Sequence, residues 1–172
     1  MDTARDDDDD LHWMGLALAQ AREAHARGDW PTGAVLVSEH RLLASGQNRQ
    51  NSRGDITEHA ECDALRRAFA AHGPEAARGT TLYSTMEPCP MCAGALQLAG
   101  VKRLVLALRH ARLGRTDLGR YSIEAFCAMA GFDLELRQGV LEDDYLALRL
   151  RWGRDRVAPS APSAPSVISS GE

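Results

Sequence analysis

Two short segments constrain this chain more than any other feature, residues 58–61 (Glu-His-Ala-Glu) and residues 87–92 (Glu-Pro-Cys-Pro-Met-Cys). A catalytic zinc takes three protein ligands and keeps its fourth position open for water. Three side chains of these segments are predicted to be those ligands: His59, Cys89 and Cys92. Glu61 follows the histidine by two positions and is predicted to lie beside the metal without joining it. A carboxylate there can move protons between the water and a leaving amine.

The spacing within each segment predicts a helix N-terminus at the metal. Cys89 and Cys92 are three residues apart, which places both sulfur atoms on one face of a first helical turn. Pro88 suits such a start, and Gly100 suits the end of that helix. His59 is predicted to begin another helix. The positive ends of two helices would then favour thiolate and hydroxide at one ion.

Other interpretations of the cysteines stay open at this point. A lone Cys-x-x-Cys in an intracellular chain is also typical of a redox pair, and a structural zinc would be closed by a fourth cysteine or histidine. The remaining cysteines, Cys62 and Cys127, have no paired ligand nearby and are predicted to be small apolar residues of the interior. The compound pattern of His-x-Glu followed by Pro-Cys-x-x-Cys favours the catalytic zinc.

These motifs resemble the zinc-dependent cytidine/deoxycytidylate deaminase superfamily. Residues 31–35 (Pro-Thr-Gly-Ala-Val) are similar to its first core strand, and residues 46–48 (Gly-Gln-Asn) to its Gly-x-Asn substrate loop. Residues 86–95 are close to the form shared by tRNA-adenosine, guanine and fungal-type cytosine deaminases. The resemblance covers residues 12–152 and implies one zinc ion per subunit.

The resemblance implies a three-layer α/β/α cytidine-deaminase-like fold with a five-stranded mixed sheet. The sequence pattern predicts the fourth strand at residues 103–108, a helix at 121–130 and the fifth strand at 132–136. A strand, helix, strand order indicates a crossover connection, so strands 4 and 5 are predicted to be parallel. A last helix is predicted at residues 142–152. Four of its residues are predicted on or near the buried side: Tyr145, Leu146, Leu148 and Leu150.

Composition predicts one domain between two disordered ends. Residues 1–10 include five consecutive aspartates, residues 11–156 are the predicted deaminase domain, and residues 157–172 are rich in Ala, Pro and Ser. No apolar run approaches the roughly 20 residues that a membrane span needs. The N-terminus lacks the apolar core of a signal peptide, and four cysteines without a framework pattern favour a reducing cytoplasm.

By resemblance, five positions are implied as substrate contacts: Trp30, Asn48, Ala60, Glu87 and His110. Asn48, in the irregular stretch 47–56, would hydrogen-bond the base or the sugar, with a simple turn residue as its alternative. The backbone near Ala60, Glu87 and Cys89 would hold polar atoms of the ring. Trp30 would stack on the ring or merely pack, and His110 would contact substrate or lie on the surface.

The substrate prediction depends on charge and on one loop. Relatives that act on tRNA carry a Lys-Thr-Gly-Ala-Ala-Gly-Ser-like loop, of which residues 112–118 retain only the glycine and add Asp117. The net charge is −4, whereas proteins that grip nucleic acid are usually basic. A free nucleobase or small nucleoside (cytosine, guanine or adenine type) is therefore ranked above the wobble adenosine of tRNA. A non-catalytic zinc module that binds a nucleotide or partner is the alternative of another class. The apolar helix after Cys92 resembles a subunit contact and predicts a homodimer.

Overall fold

The structure is a computed structural model that describes residues 3–115 and 117–153. Six α-helices lie in this part of the chain: α1 (Thr3–Ala26), α2 (Gln50–Arg53), α3 (Ala60–His72), α4 (Pro90–Ala99), α5 (Ile123–Ala130) and α6 (Glu142–Trp152). Five strands form one sheet: β1 (Gly33–Ser38), β2 (Arg41–Gln47), β3 (Thr81–Met86), β4 (Arg103–Leu108) and β5 (Glu135–Arg137). A short 3₁₀ helix, His110–Leu113, follows β4. No helix of the described residues is long and apolar enough to cross a membrane.

The sheet is mixed, with strand order β2-β1-β3-β4-β5. Strand β1 pairs antiparallel with β2 and β3, whereas β3, β4 and β5 run parallel. The predicted five-stranded sheet with parallel strands 4 and 5 is confirmed. Strand β5 begins at Glu135 rather than at Phe132, because the backbone N–H of Phe132 is used to close α5 against the carbonyl of Cys127.

Helices cover both faces of the sheet, which confirms the three-layer architecture. Alternate strand residues point to opposite sides, as the pleat requires: Leu36 and Leu104 pack with α3, α4 and α5, and Val35 and Val105 pack with α1 and α6. In α6 the buried residues are Tyr145, Leu148 and Arg149. Leu150, predicted to lie near the buried side, is 53% exposed.

The acidic N-terminal run differs from the prediction of a disordered segment at residues 1–10. Helix α1 begins at Thr3, and Asp10 is buried. Its carboxylate accepts hydrogen bonds from the Arg103 guanidinium (2.8 and 2.7 Å) and the Tyr83 hydroxyl (2.8 Å), and it pairs with Arg137. A buried carboxylate is stable when charged donors satisfy it, and these donors come from β3, β4 and β5. The predicted tail at 157–172 lies outside the described residues.

Gly46 brings strand β2 into direct contact with the start of α3. A Cβ at this position would lie 2.1 Å from the carbonyl oxygen of Ala60 and 2.4 Å from the amide nitrogen of Ala64. Both obstacles are backbone atoms, which cannot rotate away. The first turn of α3 is therefore set against the sheet by the absence of a side chain at Gly46.

We expect Gly46→Ala to lower the free energy of unfolding by about 2–3 kcal/mol, since overpacking against backbone forces the helix off the sheet. Gly94→Ala is the matched control. Gly94 lies within α4 with nothing within 4 Å of an added Cβ, so alanine there should stabilise by up to about 1 kcal/mol. Urea denaturation of both variants measures the difference. Equal stabilities would show that β2 does not press on α3 as described.

Candidate metal centre and active-site cavity

Three ligand atoms meet where α3 and α4 begin. His59 caps the N-terminus of α3, Cys89 caps that of α4, and Cys92 lies in the first turn of α4. The Nδ1 atom of His59 lies 3.6 Å from the Cys89 sulfur and 3.5 Å from the Cys92 sulfur. All three ligand atoms lie within 4.8 Å of one another. The residues predicted as zinc ligands are therefore positioned to hold one metal ion.

The separations fit tetrahedral zinc. A nitrogen and a sulfur bound at about 2.0 and 2.3 Å to one tetrahedral ion lie about 3.5 Å apart. A redox pair needs only the two sulfur atoms, whereas here an imidazole nitrogen is nearly equidistant from both. In the part of the chain that the structure describes, the metal-binding group consists of these three residues, which is the count expected of an open, catalytic site.

Glu61 lies beside this group in the first turn of α3, and its carboxylate reaches Ser84 of β3. One carboxylate oxygen is 3.5 Å from the Cys92 sulfur, and the other is 3.2 Å from the Ser84 hydroxyl. The side chain is buried, and burial raises the pKa of its carboxyl group. An acid held next to the ligand set, but outside it, has the position expected of a proton carrier.

Helix α4 begins two residues later than predicted. Pro90, rather than Pro88, occupies the first helical position, and Cys89 has extended backbone angles. Proline suits the first helical position because it has no backbone N–H, and an N–H there would find no partner within the helix. A hydrogen bond from the Cys92 thiol, followed by one from His59, lowers the pKa of Cys89 to about 3. These surroundings favour the thiolate form of Cys89, which is the form that binds zinc.

Cys62 was predicted to be a simple apolar filler, and the structure gives it a closer relation to the metal centre. Its sulfur lies 3.7 Å from the Cys92 sulfur. Hydrogen bonding between the two side chains lowers the pKa of the Cys62 thiol. Cys62 therefore contacts a ligand without being placed among the ligands. Its position three residues after His59, one helical turn away, was the available signal.

A cavity of about 160 Å³ opens in front of the metal-binding group. Four of the five predicted substrate residues line it: Trp30, Asn48, Glu87 and His110. The fifth, Ala60, is buried in the first turn of α3 and does not line the cavity. The remaining lining residues are Thr32, Gln50, His59, Glu61, Met86, Cys89, Arg115 and Arg149.

Asn48 combines a turn role with a place in the cavity. Its side-chain oxygen accepts the backbone N–H of Gln50 at 3.0 Å, and its amide donates to the Gln50 side chain at 2.8 Å. This local turn begins α2, the short helix within the stretch predicted to be irregular. The turn holds Asn48 rigidly at the cavity wall, so the two interpretations offered for it are compatible.

Glu87 lines the cavity, but its carboxylate serves the structure around the cavity. It accepts hydrogen bonds from the Arg109 guanidinium (3.0 and 3.3 Å) and from the backbone N–H groups of His110 (2.8 Å) and Ile123 (2.9 Å). Arg109 also contacts Glu124. A buried carboxylate with this many donors holds the segment after β4 and the start of α5 together.

Arg115 and Arg149 are cavity residues that the sequence pattern did not indicate. Arg149 is 2% exposed, and its guanidinium lies 5.4 Å from the centre of the Trp30 ring. The helical spacing of Tyr145 and Arg149 could have revealed it, since residues four apart share a helix face. A buried arginine is rare enough that apolar Leu150 was the expected choice.

Comparisons with known proteins agree with this geometry. The family described as "Cytidine and deoxycytidylate deaminase zinc-binding region" matches residues 7–108. A tRNA-specific adenosine deaminase of Agrobacterium fabrum is 42% identical over 108 residues, which cover 63% of this chain and 71% of that protein.

Two groups of solved structures are also similar. A structure from studies of A-to-I editing by tRNA:A34 deaminases at the wobble position has a TM-score of 0.69 at 32% identity, covering 80% of this chain and 98% of that one. A guanine deaminase from Nitrosomonas europaea has a TM-score of 0.71 at 25% identity, covering 83% of each chain. The match to more than half of the chain, together with three positioned ligands, establishes that this protein belongs to the cytidine and deoxycytidylate deaminase zinc-binding family.

Proposed function

We propose that this protein is a hydrolytic deaminase that converts the wobble adenosine of a tRNA to inosine. The observation that carries the proposal is the 42% identity to a tRNA-specific adenosine deaminase over most of that relative's length. The similarity to a tRNA:A34 deaminase structure over 98% of its chain supports it. Deaminase family membership also leaves the non-catalytic zinc module without support.

The chain's own residues would divide the chemistry as follows. His59, Cys89 and Cys92 would hold the zinc ion, which when bound lowers the pKa of water enough to supply hydroxide at neutral pH. Glu61 would accept one proton from the attacking water and pass it to the ring nitrogen. It would then accept the second proton of the same oxygen, now bonded to the ring carbon, and deliver it to the amine as the C–N bond breaks and the carbonyl forms. The Ser84 hydroxyl, 3.2 Å from Glu61, supports the carboxylate during these transfers. Trp30 and Asn48 would hold the base in the cavity.

The ranking of a free base above tRNA is not confirmed, and two contacts explain why its evidence was weak. Asp117 was taken as a negative charge facing an RNA backbone, but Arg115 binds it, with 2.9 Å between Nε and Oδ1. The acidic residue Asp10 pairs with Arg103 at the start of β4. The cavity residue His110 lies beyond the opposite end of the same strand. Six strand residues span about 20 Å, twice the roughly 10 Å screening length of dilute salt. The net charge therefore says little about the cavity.

A free purine of the guanine type remains the second candidate. The specific observation in its favour is the TM-score of 0.71 to a guanine deaminase, against 0.69 for the tRNA deaminase structure. Sequence identity favours tRNA as the substrate, because it is 32% to the tRNA deaminase structure and 25% to the guanine deaminase. Identity records the side chains that recognise substrate more directly than backbone similarity does, so we rank tRNA first.

The two candidates are separated by direct assay of the zinc-loaded protein. We expect inosine to form in an anticodon stem-loop bearing adenosine at the wobble position, detected by mass spectrometry of the digested RNA. The same stem-loop with adenosine moved elsewhere in the loop is the control. Ammonia release from guanine, cytosine, adenine, adenosine or cytidine, without inosine in the stem-loop, would refute the tRNA proposal in favour of a small substrate.

We also propose that the chain is a cytoplasmic homodimer that associates through α4. Leu98 and Met91 on this helix are 89% and 41% exposed, and a largely apolar groove between α3 and α4 lies beside them. Exposed apolar side chains that lie together beside an apolar groove favour burial against another protein surface. Light scattering of the wild type against Leu98→Glu tests the proposal, with the variant expected to be monomeric. A monomeric wild type would contradict it.

A further inference from the structure

Residues 48–53, here named the Asn48 loop, are bound to the turn between α1 and β1. Arg27 lies in that turn, and its guanidinium donates three hydrogen bonds. The acceptors are the carboxylate of Asp29 (2.7 Å), the side-chain carbonyl of Gln47 (2.8 Å) and the backbone carbonyl of Asn48 (2.9 Å). The planar fork of an arginine holds several acceptors at fixed angles, which a lysine ammonium cannot do. Arg27 therefore binds the Asn48 loop at a residue that lines the cavity.

Asp29 is the buried counter-charge of Arg27 and a second point of attachment for the loop. Its side chain is 0% exposed, and its carboxylate also accepts the backbone N–H and the hydroxyl of Ser52, both at 2.8 Å. Burial raises the pKa of Asp29, but the hydrogen bonds from Ser52 and Arg27 outweigh it and lower this pKa below its usual value. The side-chain amide of Asn51 donates to the carbonyl of Gly28 at 2.8 Å. The turn thus holds both the start of the loop and α2 within it.

The backbone of Asn48 is held at both of its polar atoms. Its N–H donates to the carbonyl of Thr32 at 3.0 Å, and its carbonyl accepts from Arg27 at 2.9 Å. The two contacts of the side chain with Gln50 use one lone pair and one N–H, so the amide keeps a second of each for a ligand. A shift of this backbone moves those atoms directly. A misplacement of about 1 Å at a substrate-positioning group can cost about 100-fold in rate.

We propose that Arg27 and Asp29 are positioning residues of the active site, which act by fixing Asn48 at the cavity wall. Neither of the two lines the cavity. The side chain of Arg27 is 30% exposed, and its contacts are confined to the turn and to residues 47–49. Its loss should therefore loosen the Asn48 loop and weaken substrate binding without loosening the sheet. The effect on turnover rests on the proposed function, in which Asn48 holds the base.

Hydrogen exchange tests the attachment of the loop without any substrate. Arg27→Met keeps the apolar stem of the side chain and removes its donors. We expect the backbone N–H groups of residues 48–53 to exchange at least about 10-fold faster in this variant, while those of β3 exchange as in the wild type. Arg22→Met is the matched control, since it removes an exposed arginine from α1 and should change neither segment. Unchanged exchange in the loop of Arg27→Met, or an equal acceleration in β3, overturns the proposal.

A double-mutant cycle on the zinc-loaded protein tests whether Arg27 acts through Asn48. With the anticodon stem-loop as substrate, we expect Arg27→Met to raise KM roughly 10- to 100-fold and to change kcat less, because a group that binds the base is misplaced. In Asn48→Ala the same substitution should cost less than about 2-fold, since the side chain that Arg27 positions is already gone. Arg27→Lys keeps the charge and one donor group and should restore part of the KM. An equal penalty for Arg27→Met in the wild type and in Asn48→Ala overturns the positioning role.

The two proposals fail in distinguishable ways. No inosine in the stem-loop refutes tRNA as the substrate, while hydrogen exchange still reports on the attachment of the loop by Arg27. Normal inosine formation with equal penalties in the cycle refutes the positioning role and leaves the proposed function standing.

Discussion

Replacement of Glu61 by glutamine is expected to reduce deamination by about 10²–10⁴-fold or more, which is the usual contribution of a positioned acid–base group. Glutamine has the same shape and can still approach the Ser84 hydroxyl, so the cavity should keep its form. It cannot accept a proton from water or return one to the leaving amine. The loss should appear in kcat, with little change in KM, because the missing proton transfers belong to the reaction rather than to binding.

Zinc content separates a lost proton carrier from a damaged metal site. Glu61 contacts Cys92 from outside the ligand group, so Glu61→Gln should bind one zinc per subunit as the wild type does. Glu58→Gln is the matched control: Glu58 is also buried, but it pairs with Arg53 and Arg66 and does not line the cavity. Its activity should stay within a few-fold of wild type. Appreciable turnover by Glu61→Gln would remove Glu61 from the mechanism.

The metal centre was predictable from sequence because its geometry is mostly local. The three-residue spacing of Cys89 and Cys92 spans one helical turn, and His59 and Glu61 flank a helix start. The one long-range contact is that between the N-termini of α3 and α4. It is required because His59 on α3 must reach the same zinc ion as the two cysteines on α4. The parallel pairing of β4 and β5 was predictable for a related reason, since a helix between two strands enforces a crossover.

The remaining features could not be predicted because they depend on partners distant in sequence. Asp10 looks like one member of a solvated acidic run until β4 supplies Arg103, 93 positions away. In sequence, Arg149 resembles a surface residue of an arginine-rich helix. In the structure it is buried against the ring of Trp30. In both cases a charged side chain is buried, and sequence patterns assign charge to the surface. A buried charged residue therefore marks a contact that sequence patterns miss. One of the two, Arg149, lines the active-site cavity.

Removal of a zinc ligand is the second large effect, and the four cysteines allow a sharp comparison. We expect Cys89→Ala to weaken zinc binding by more than about 100-fold, beyond the 10- to 100-fold typical of changes around the ligands. Deamination should fall with the zinc content. Mass spectrometry of elemental zinc after dialysis against a chelator measures the first effect, and inosine formation measures the second.

Cys62→Ala is the discriminating control, because Cys62 lies 3.7 Å from the Cys92 sulfur yet is not among the metal ligands. This variant should keep one zinc per subunit and should differ from the wild type mainly in the packing of α3 against α4. If the site could use any nearby thiolate, Cys62 would replace the missing ligand and Cys89→Ala would stay loaded. Cys62 contacts Cys92 but is not in the group whose ligand atoms all lie within 4.8 Å of one another, which makes that rescue geometrically unfavourable. Zinc retention by Cys89→Ala, or zinc loss from Cys62→Ala, would therefore require a different ligand set and a different open face for the water that attacks the base.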